Sequence, residues 1–264
     1  VTITTSKGLS SPMYFFLSSL SFVEPCYCSV TAPRLILDSF MERRVISLKG
    51  CLTQISFLHF FGGTEIFLLT GMAYDRSVAI CKPLHYTVIM PRRVCGLLGA
   101  AWGGGLLHSV GQTSLMFQLP FCGPKVLDHY FCDVHPMLKP ACADPFRIGL
   151  LIIANGGSIS VVSFAGLLAS YGVILRSLRT RSSGGRRKAL STCASHVAVV
   201  ALFFIPCSFV YMRPCVTLPA DKIVAVFYTV ATPLLNPVIY SFRNVEVKNA
   251  MRRLMGRKAI WAEK

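Results

Sequence analysis

The stretch "MAYDRSVAIC" (Met72–Cys81) decides how this chain is read, because it sets an acid beside a base at the end of a long apolar run. The preceding residues, "FLHFFGGTEIFLLTG" (Phe57–Gly71), carry a single acid and no lysine or arginine. Asp75 and Arg76 then close the run. Snorkelling charges are ordinary at the ends of membrane helices, so the pair alone proves nothing. Its surroundings give it meaning.

Of the 264 residues 53% are hydrophobic and only 14% charged, where soluble domains carry about a quarter charged residues. The net charge of +16 sits in clusters between apolar segments and is not interleaved through them. That pattern points to a membrane protein and away from nucleic-acid binding. Six segments reach the roughly 20 apolar residues that a crossing helix needs: Met13–Leu37, Leu52–Tyr74, Val94–Phe117, Ile148–Leu175, Ala189–Tyr211 and Ile223–Phe242. The opening "VTITTSKGLSSPMYFF" (Val1–Phe16) reads as a polar lead and not as a cleaved signal peptide.

Loop charges predict the orientation. One side holds 18 of the 27 basic residues, among them Lys7, Arg76, Arg92, Arg93, Arg181, Lys188, Arg243 and Lys264, against three acids. By the positive-inside rule that side is cytoplasmic, and Asp75–Arg76 with it. The basic stretches Arg176–Lys188 and Arg243–Lys258 suit anionic lipid or a cytoplasmic protein partner. "RNVEVKNAMRRLM" (Arg243–Met255) suits a surface helix over about residues 244–256. On the other side, the loop Gln118–Arg147 carries Cys122, Cys132 and Cys142, with Cys51 at the adjacent span end. Four cysteines in an oxidising compartment allow three pairings, and spacing does not choose among them. His129, Cys132 and His135 stand at metal-ligand spacing, but Cys132 is wanted for a disulfide.

Two acids lie mid-span, Glu24 and Glu65. An ionised acid there costs roughly 2.5–3.5 kcal/mol on translocon scales. Hydrogen bonding in the neutral form is one answer; a buried cation, Na⁺ by chemistry, shared by Glu24, Glu65 and Asn236 is the favoured one. For a ligand, His59, Gly62 and Gly63 share one face of the second span at i, i+3 and i+4. Phe204, Ser208 and Tyr211 repeat similarly on the fifth span, and Tyr228 and Thr229 lie in the outer part of the last. Facing inward together, they predict an apolar pocket with a few hydroxyls and no charge to anchor an amine. Helix packing through small residues is the plain alternative for each one singly.

Four motifs now stand in order: "PMYFFLSSLSFVEPCY" (Pro12–Tyr27), "MAYDRSVAICKPLHY" (Met72–Tyr86), "KALSTCASH" (Lys188–His196) and "PLLNPVIYSFRN" (Pro233–Asn244). Together they resemble the olfactory receptors, a rhodopsin-like G-protein-coupled receptor family. The resemblance implies an all-α seven-helix bundle, here without its N-terminus and first helix, forming one receptor domain over residues 1–264 in the plasma membrane. It implies an odorant as ligand, a stimulatory olfactory G protein as partner raising cAMP, and no enzymatic activity. It further implies the pairings Cys51–Cys132 and Cys122–Cys142, a sodium site at Glu24 and Glu65, and a resting state in which Asp75 holds Arg76. Asn236, Pro237 and Tyr240 would turn as the last helix moves. The chain departs from the family pattern at Ser77, usually Tyr, at Leu190, usually Phe, and at Phe203–Pro206, where Phe-Tyr-Gly-Pro is commoner. A transporter or channel using Glu24 and Glu65 would carry an internal repeat, and none is present in the sequence. A non-signalling remnant of a receptor is the remaining alternative. Ser195 and His196 adjoin on one helix and so point apart, which disfavours a nucleophile–base pair.

Overall fold

The computed structural model describes residues 3, 11–41, 45–122, 129–138, 141–142, 145–179, 182–212, 218, 220–243 and 245–262. Of the basic residues counted above, Lys7, Arg181 and Lys264 lie outside the described residues. The helices are α1 (Pro12–Phe40), α2 (Leu48–Cys81), α3 (Pro83–Phe117), a short α4 (Val134–Leu138), α5 (Pro145–Leu178), α6 (Ser183–Tyr211), α7 (Ala220–Val226), α8 (Thr232–Arg243) and α9 (Val245–Ala262). A π-helical turn, Phe227–Ala231, joins α7 to α8.

Every expected span is helical, and most run further than expected. α2 continues to Cys81 and α3 begins at Pro83, eleven residues before Val94. Hydrophobicity marks the hydrocarbon crossing, whereas helical hydrogen bonding continues wherever polar side chains can reach the headgroups. Pro83 fits because proline at a first helical position loses no bond. Ser47 caps α2, its Oγ accepting from the Gly50 N–H at 3.0 Å. α9 likewise extends to Ala262, beyond the expected end near residue 256.

Among the described residues, five helices are long and apolar enough to cross a membrane: α2, α3, Phe146–Leu178, Cys193–Tyr211 and Ala220–Tyr240. α1 has 29 residues, about 43 Å of helix, but Glu24, Arg34, Asp38 and its serines dilute its hydropathy. It packs as a rod of the bundle all the same, burying Phe16, Leu20, Val23 and Tyr27 in the main core.

α2 is the central element, with buried residues from Cys51 through Val78 on every face. α3 crosses it closely at Gly105. A Cβ there would lie 2.8 Å from the Phe60 carbonyl oxygen and 2.8 Å from the Thr64 nitrogen, so only hydrogen fits. Pro206 inside α6 has no N–H to donate to the Leu202 carbonyl. The Thr232 hydroxyl of α8 donates to that carbonyl at 3.2 Å, so a neighbouring helix satisfies the freed group.

At one end of the bundle the loop after α3 is pinned down. Cys51 is bonded to Cys132 with Cα atoms 5.3 Å apart, and Cys122 to Cys142 at 5.6 Å. The Cys142 N–H donates to Pro120 O at 2.8 Å. Gln54 works as a three-way tie. Its Nε2 donates to Val30 O of α1 at 2.8 Å, and its Oε1 accepts the Cys132 N–H at 2.9 Å. At the other end, Tyr14 of α1 donates to Glu246 and Val247 packs with Tyr14 and Leu17, fastening α9 beneath the bundle.

Candidate functional site

Three sites follow along α2, and the first is a cavity in the half of the bundle under the disulfide-bonded loop. About 600 Å³ of space free of atoms lies in it and in the open mouth that leads to it, most of it in the mouth. His59, Gly62, Gly63, Ser208 and Tyr211 line it, as the sequence suggested. His59 Nδ1 lies 2.9 Å from the Ile55 carbonyl oxygen. A carbonyl has no proton to give, so Nδ1 carries the hydrogen and the neutral ring keeps Nε2 as an acceptor.

Three expected lining residues stand elsewhere. Phe204 is turned into the core with its ring edge-on to Phe203, and it is Phe203 with Cys207 that faces the cavity. One residue is 100° around a helix, so a one-position error in choosing the face exchanges these neighbours. Tyr228 and Thr229 sit in the π-helical turn and are fully buried behind the wall. Tyr228 reaches the cavity only through Tyr211, their hydroxyls 3.1 Å apart. Thr229 donates to Ala225 O of its own helix at 2.7 Å.

The wall also includes residues that sequence reasoning passed over. Tyr27 of α1, His108 and Gln112 of α3, and Gly156, Gly157 and Ser160 of α5 all face the cavity. His108 and Gln112 stand at i, i+4 in an apolar helix, a signal of the kind that singled out His59. The glycines do less to open space than expected. A Cβ at Gly63 would meet His108 at 3.1 Å and the Gly105 backbone at 3.2 Å, so that glycine serves the helix crossing.

Above the cavity stands Asp133, which the sequence did not mark. It is buried, and its carboxylate accepts from the Tyr211 hydroxyl at 2.8 and 2.9 Å and from Tyr228 at 3.4 Å. The loop thereby engages α6 and the π-helical turn through one acid that accepts from two phenols. Cys132 beside it is consumed by its disulfide, so it offers no thiolate to a metal, and His129 bonds the Phe131 carbonyl. Burial holds the His129 imidazole below its usual value, with Asp133 opposing.

The second site is the mid-bundle acid pair. Glu24 and Glu65 are buried, and the Asn236 Nδ2 donates to Glu65 Oε1 at 3.2 Å. Glu24 stands within electrostatic reach of Glu65 and next to the Asn236 amide. Glu24 Oε1, Glu65 Oε2 and Asn236 Oδ1 have no hydrogen-bond partner. Three unsatisfied oxygens from three helices are hard donors of the kind a small cation takes. Tyr240, one turn beyond Asn236, keeps an unpartnered buried hydroxyl, and Pro237 interrupts the hydrogen bonding of α8 between them.

The third site is the far end of α2. Asp75 is buried; Arg76 holds it through Nη2 at 2.7 Å and Nε at 3.2 Å. Tyr86 of α3 donates to the other carboxylate oxygen at 2.8 Å and stands 3.3 Å from Ser11 at the start of α1. Ser77 turns back to the Tyr74 carbonyl at 2.8 Å. Tyr171 of α5 and His196 of α6 share a hydrogen bond nearby.

A family model described as "Olfactory receptor" matches residues 1–258. The chain is 76% identical to human olfactory receptor 4X1 over 98% of its own length and 86% of that protein's. Human olfactory receptor 4X2 is 65% identical, over 96% and 84%. Mouse olfactory receptor 4B13 is 59% identical, over 96% and 83%. Among solved structures, squid rhodopsin superposes with a TM-score of 0.74 at 16% identity, covering 95% of this chain and 73% of rhodopsin.

Proposed function

The chain belongs to the olfactory receptor family, and from that premise we propose that it binds small, weakly polar volatiles in the cavity beneath the disulfide-bonded loop and signals through a stimulatory G protein that raises cAMP. The family and the rhodopsin-like fold are those of non-enzymatic signalling receptors in a multi-pass membrane setting. The observation that carries the reading is the placement of two sites on one rod. The cavity reaches His59 on α2, and the Asp75–Arg76 pair closes the same helix, some sixteen residues and about 24 Å away.

In this reading the loop faces outside and the Asp75 end faces the cytoplasm of the plasma membrane. Odorant binding favours a bundle in which α6 has swung outward at that end, and the population shifts toward it. In the resting form Arg76 is occupied by Asp75. In the signalling form it is free to meet the G protein, with Asn236, Pro237 and Tyr240 accommodating the rearrangement. Glu24, Glu65 and Asn236 would hold a sodium ion, whose single charge offsets one buried carboxylate while the other carboxyl keeps its proton, and which favours the resting packing. The basic face of α9 and the basic start of α6, with Arg186 and Arg187, would rest on anionic lipid.

The test is an odorant-panel cAMP assay in cells whose surface expression of the chain is measured in parallel. Concentration-dependent cAMP from at least one volatile supports the reading. A chain abundant at the surface and silent to the whole panel contradicts it.

A further inference from the structure

Most polar groups on the cavity wall are already engaged within the protein. Gln112 Nε2 donates to the Ile152 carbonyl, the Ser160 hydroxyl to the Gly156 carbonyl, and the Tyr211 hydroxyl to Asp133. Two buried groups are not. Tyr27 of α1 is 3% exposed, and its hydroxyl makes no hydrogen bond among the described residues. His59 is bonded at Nδ1, which leaves Nε2 unmet. Neither atom is sealed into the packing, as Gln112 Oε1 and His108 Nδ1 are. Both residues are buried and both line the cavity, so the cavity is the space onto which these two atoms open. They are also neighbours. A Cβ at Gly62 would stand 3.4 Å from the Tyr27 hydroxyl and 3.6 Å from its ring. The phenol therefore lies over α2 at Gly62, and His59 is one turn earlier on the same face.

We propose that Tyr27 and His59 form a donor–acceptor seat for one polar group of the ligand, and that this group is a neutral hydroxyl on a small, largely apolar skeleton. This rests on the reading of the cavity as the odorant site. The two atoms differ in kind. Phenol lone pairs are drawn into the ring, so Tyr27 offers its proton, whereas His59 Nε2 has none to give and accepts. A hydroxyl answers each with a different part of itself, its oxygen accepting from Tyr27 and its hydrogen going to His59. A ketone, aldehyde or ether accepts from Tyr27 and leaves Nε2 unmet. A hydrocarbon meets neither. Ser208, half-buried on α6, donates or accepts as its hydroxyl turns, and so does not choose between these classes. Among the described residues no lysine, arginine, aspartate or glutamate lines the cavity, so carboxylates and amines find no counter-charge. Asp133 above it already accepts from Tyr211 and Tyr228.

The experiment compares matched skeletons in the surface-expressed full chain: hexanol, hexanone and pentyl methyl ether, each across a series of chain lengths, with cAMP as the readout. The alcohols are expected to act at concentrations about two- to tenfold below their ketones and ethers, the contribution of one more neutral hydrogen bond. Tyr27→Phe removes the donor and should raise the half-maximal concentration for all three classes. His59→Phe removes the acceptor and should raise it for the alcohols alone, bringing them level with the other two. Loosened packing would instead shift the three classes alike in both variants. The wild-type comparison and Tyr27→Phe, which deletes one oxygen from an otherwise unchanged ring, stand independently of whether the His59 variant reaches the surface. Alcohols no stronger than their ketones and ethers in the wild-type chain overturn the seat, as does a Tyr27→Phe chain that shifts no class or a His59→Phe chain that shifts all three alike. Each of these leaves the odorant-receptor reading in place. Silence to these compounds and to the wider volatile panel at normal surface expression overturns that reading, and the seat with it.

Discussion

Asp75 shows how much a single residue carries in this molecule. Its carboxylate is buried yet fully used, by the Arg76 guanidinium on one oxygen and the Tyr86 hydroxyl on the other. Removing the acid frees Arg76 in the absence of ligand. Asp75→Asn is therefore expected to raise basal cAMP at matched surface level. Tyr86→Phe removes one hydrogen bond to a charged group, about 1.5 kcal/mol, and should raise it by a smaller factor. Basal cAMP unchanged in both variants would contradict the clasp. Asp75 and Arg76 were legible in the sequence because adjacent opposite charges after an apolar run have few readings. Tyr86 was not. Its span was expected to start at Val94, which left the residues from Lys82 onward to the loop. Asp133 was equally hidden, since a loop acid is ordinary until the tertiary structure buries it under two tyrosines.

At the scale of elements, the prolines and glycines decide which helices meet. Pro206 frees the Leu202 carbonyl, and Thr232 takes it up. Thr232→Val should lower the midpoint of thermal unfolding in detergent by the equivalent of about 1–3 kcal/mol, the penalty of an unmet buried carbonyl. In a Pro206→Ala background the helix regains its own donor, and the same change should have much less effect. Equal losses in both backgrounds would show that the two residues are not coupled. At the α2–α3 crossing, Gly105→Ala forces a methyl against the Phe60 and Thr64 backbone and should destabilise by about 1–3 kcal/mol. Gly103→Ala, with nothing within 4 Å of its added carbon, should be neutral or mildly stabilising. If both alanines behave alike, the close crossing is not what Gly105 supports. The helices themselves were legible from hydropathy, since apolar length is a strong signal. Their ends were not, because polar turns of helix outside the hydrocarbon carry no hydropathic mark. The π-helical turn at Phe227–Ala231 left no sequence sign either, and it holds Tyr228 and Thr229, which stand behind the cavity wall.

Across the whole molecule, α2 joins the loop disulfide at Cys51, the cavity at His59, the acid pair at Glu65 and the Asp75–Arg76 clasp. The fold class was readable because composition, charge placement and four ordered motifs agreed. The cavity was read only on the α2 and α6 walls, since His108, Gln112 and the α5 glycines become a site once helices far apart in sequence are brought together. The central claim is that occupancy of this cavity drives the clasp open. It is tested most directly by filling the cavity from Gly157, whose added carbon meets only Ile153 at 3.8 Å. The measurement is the odorant concentration–response for cAMP in Gly157→Phe and in Asp75→Asn/Gly157→Phe, at matched surface expression. The account predicts that Gly157→Phe abolishes the odorant response, while the double variant keeps the raised basal signal of Asp75→Asn. An unshifted odorant response in Gly157→Phe would contradict it.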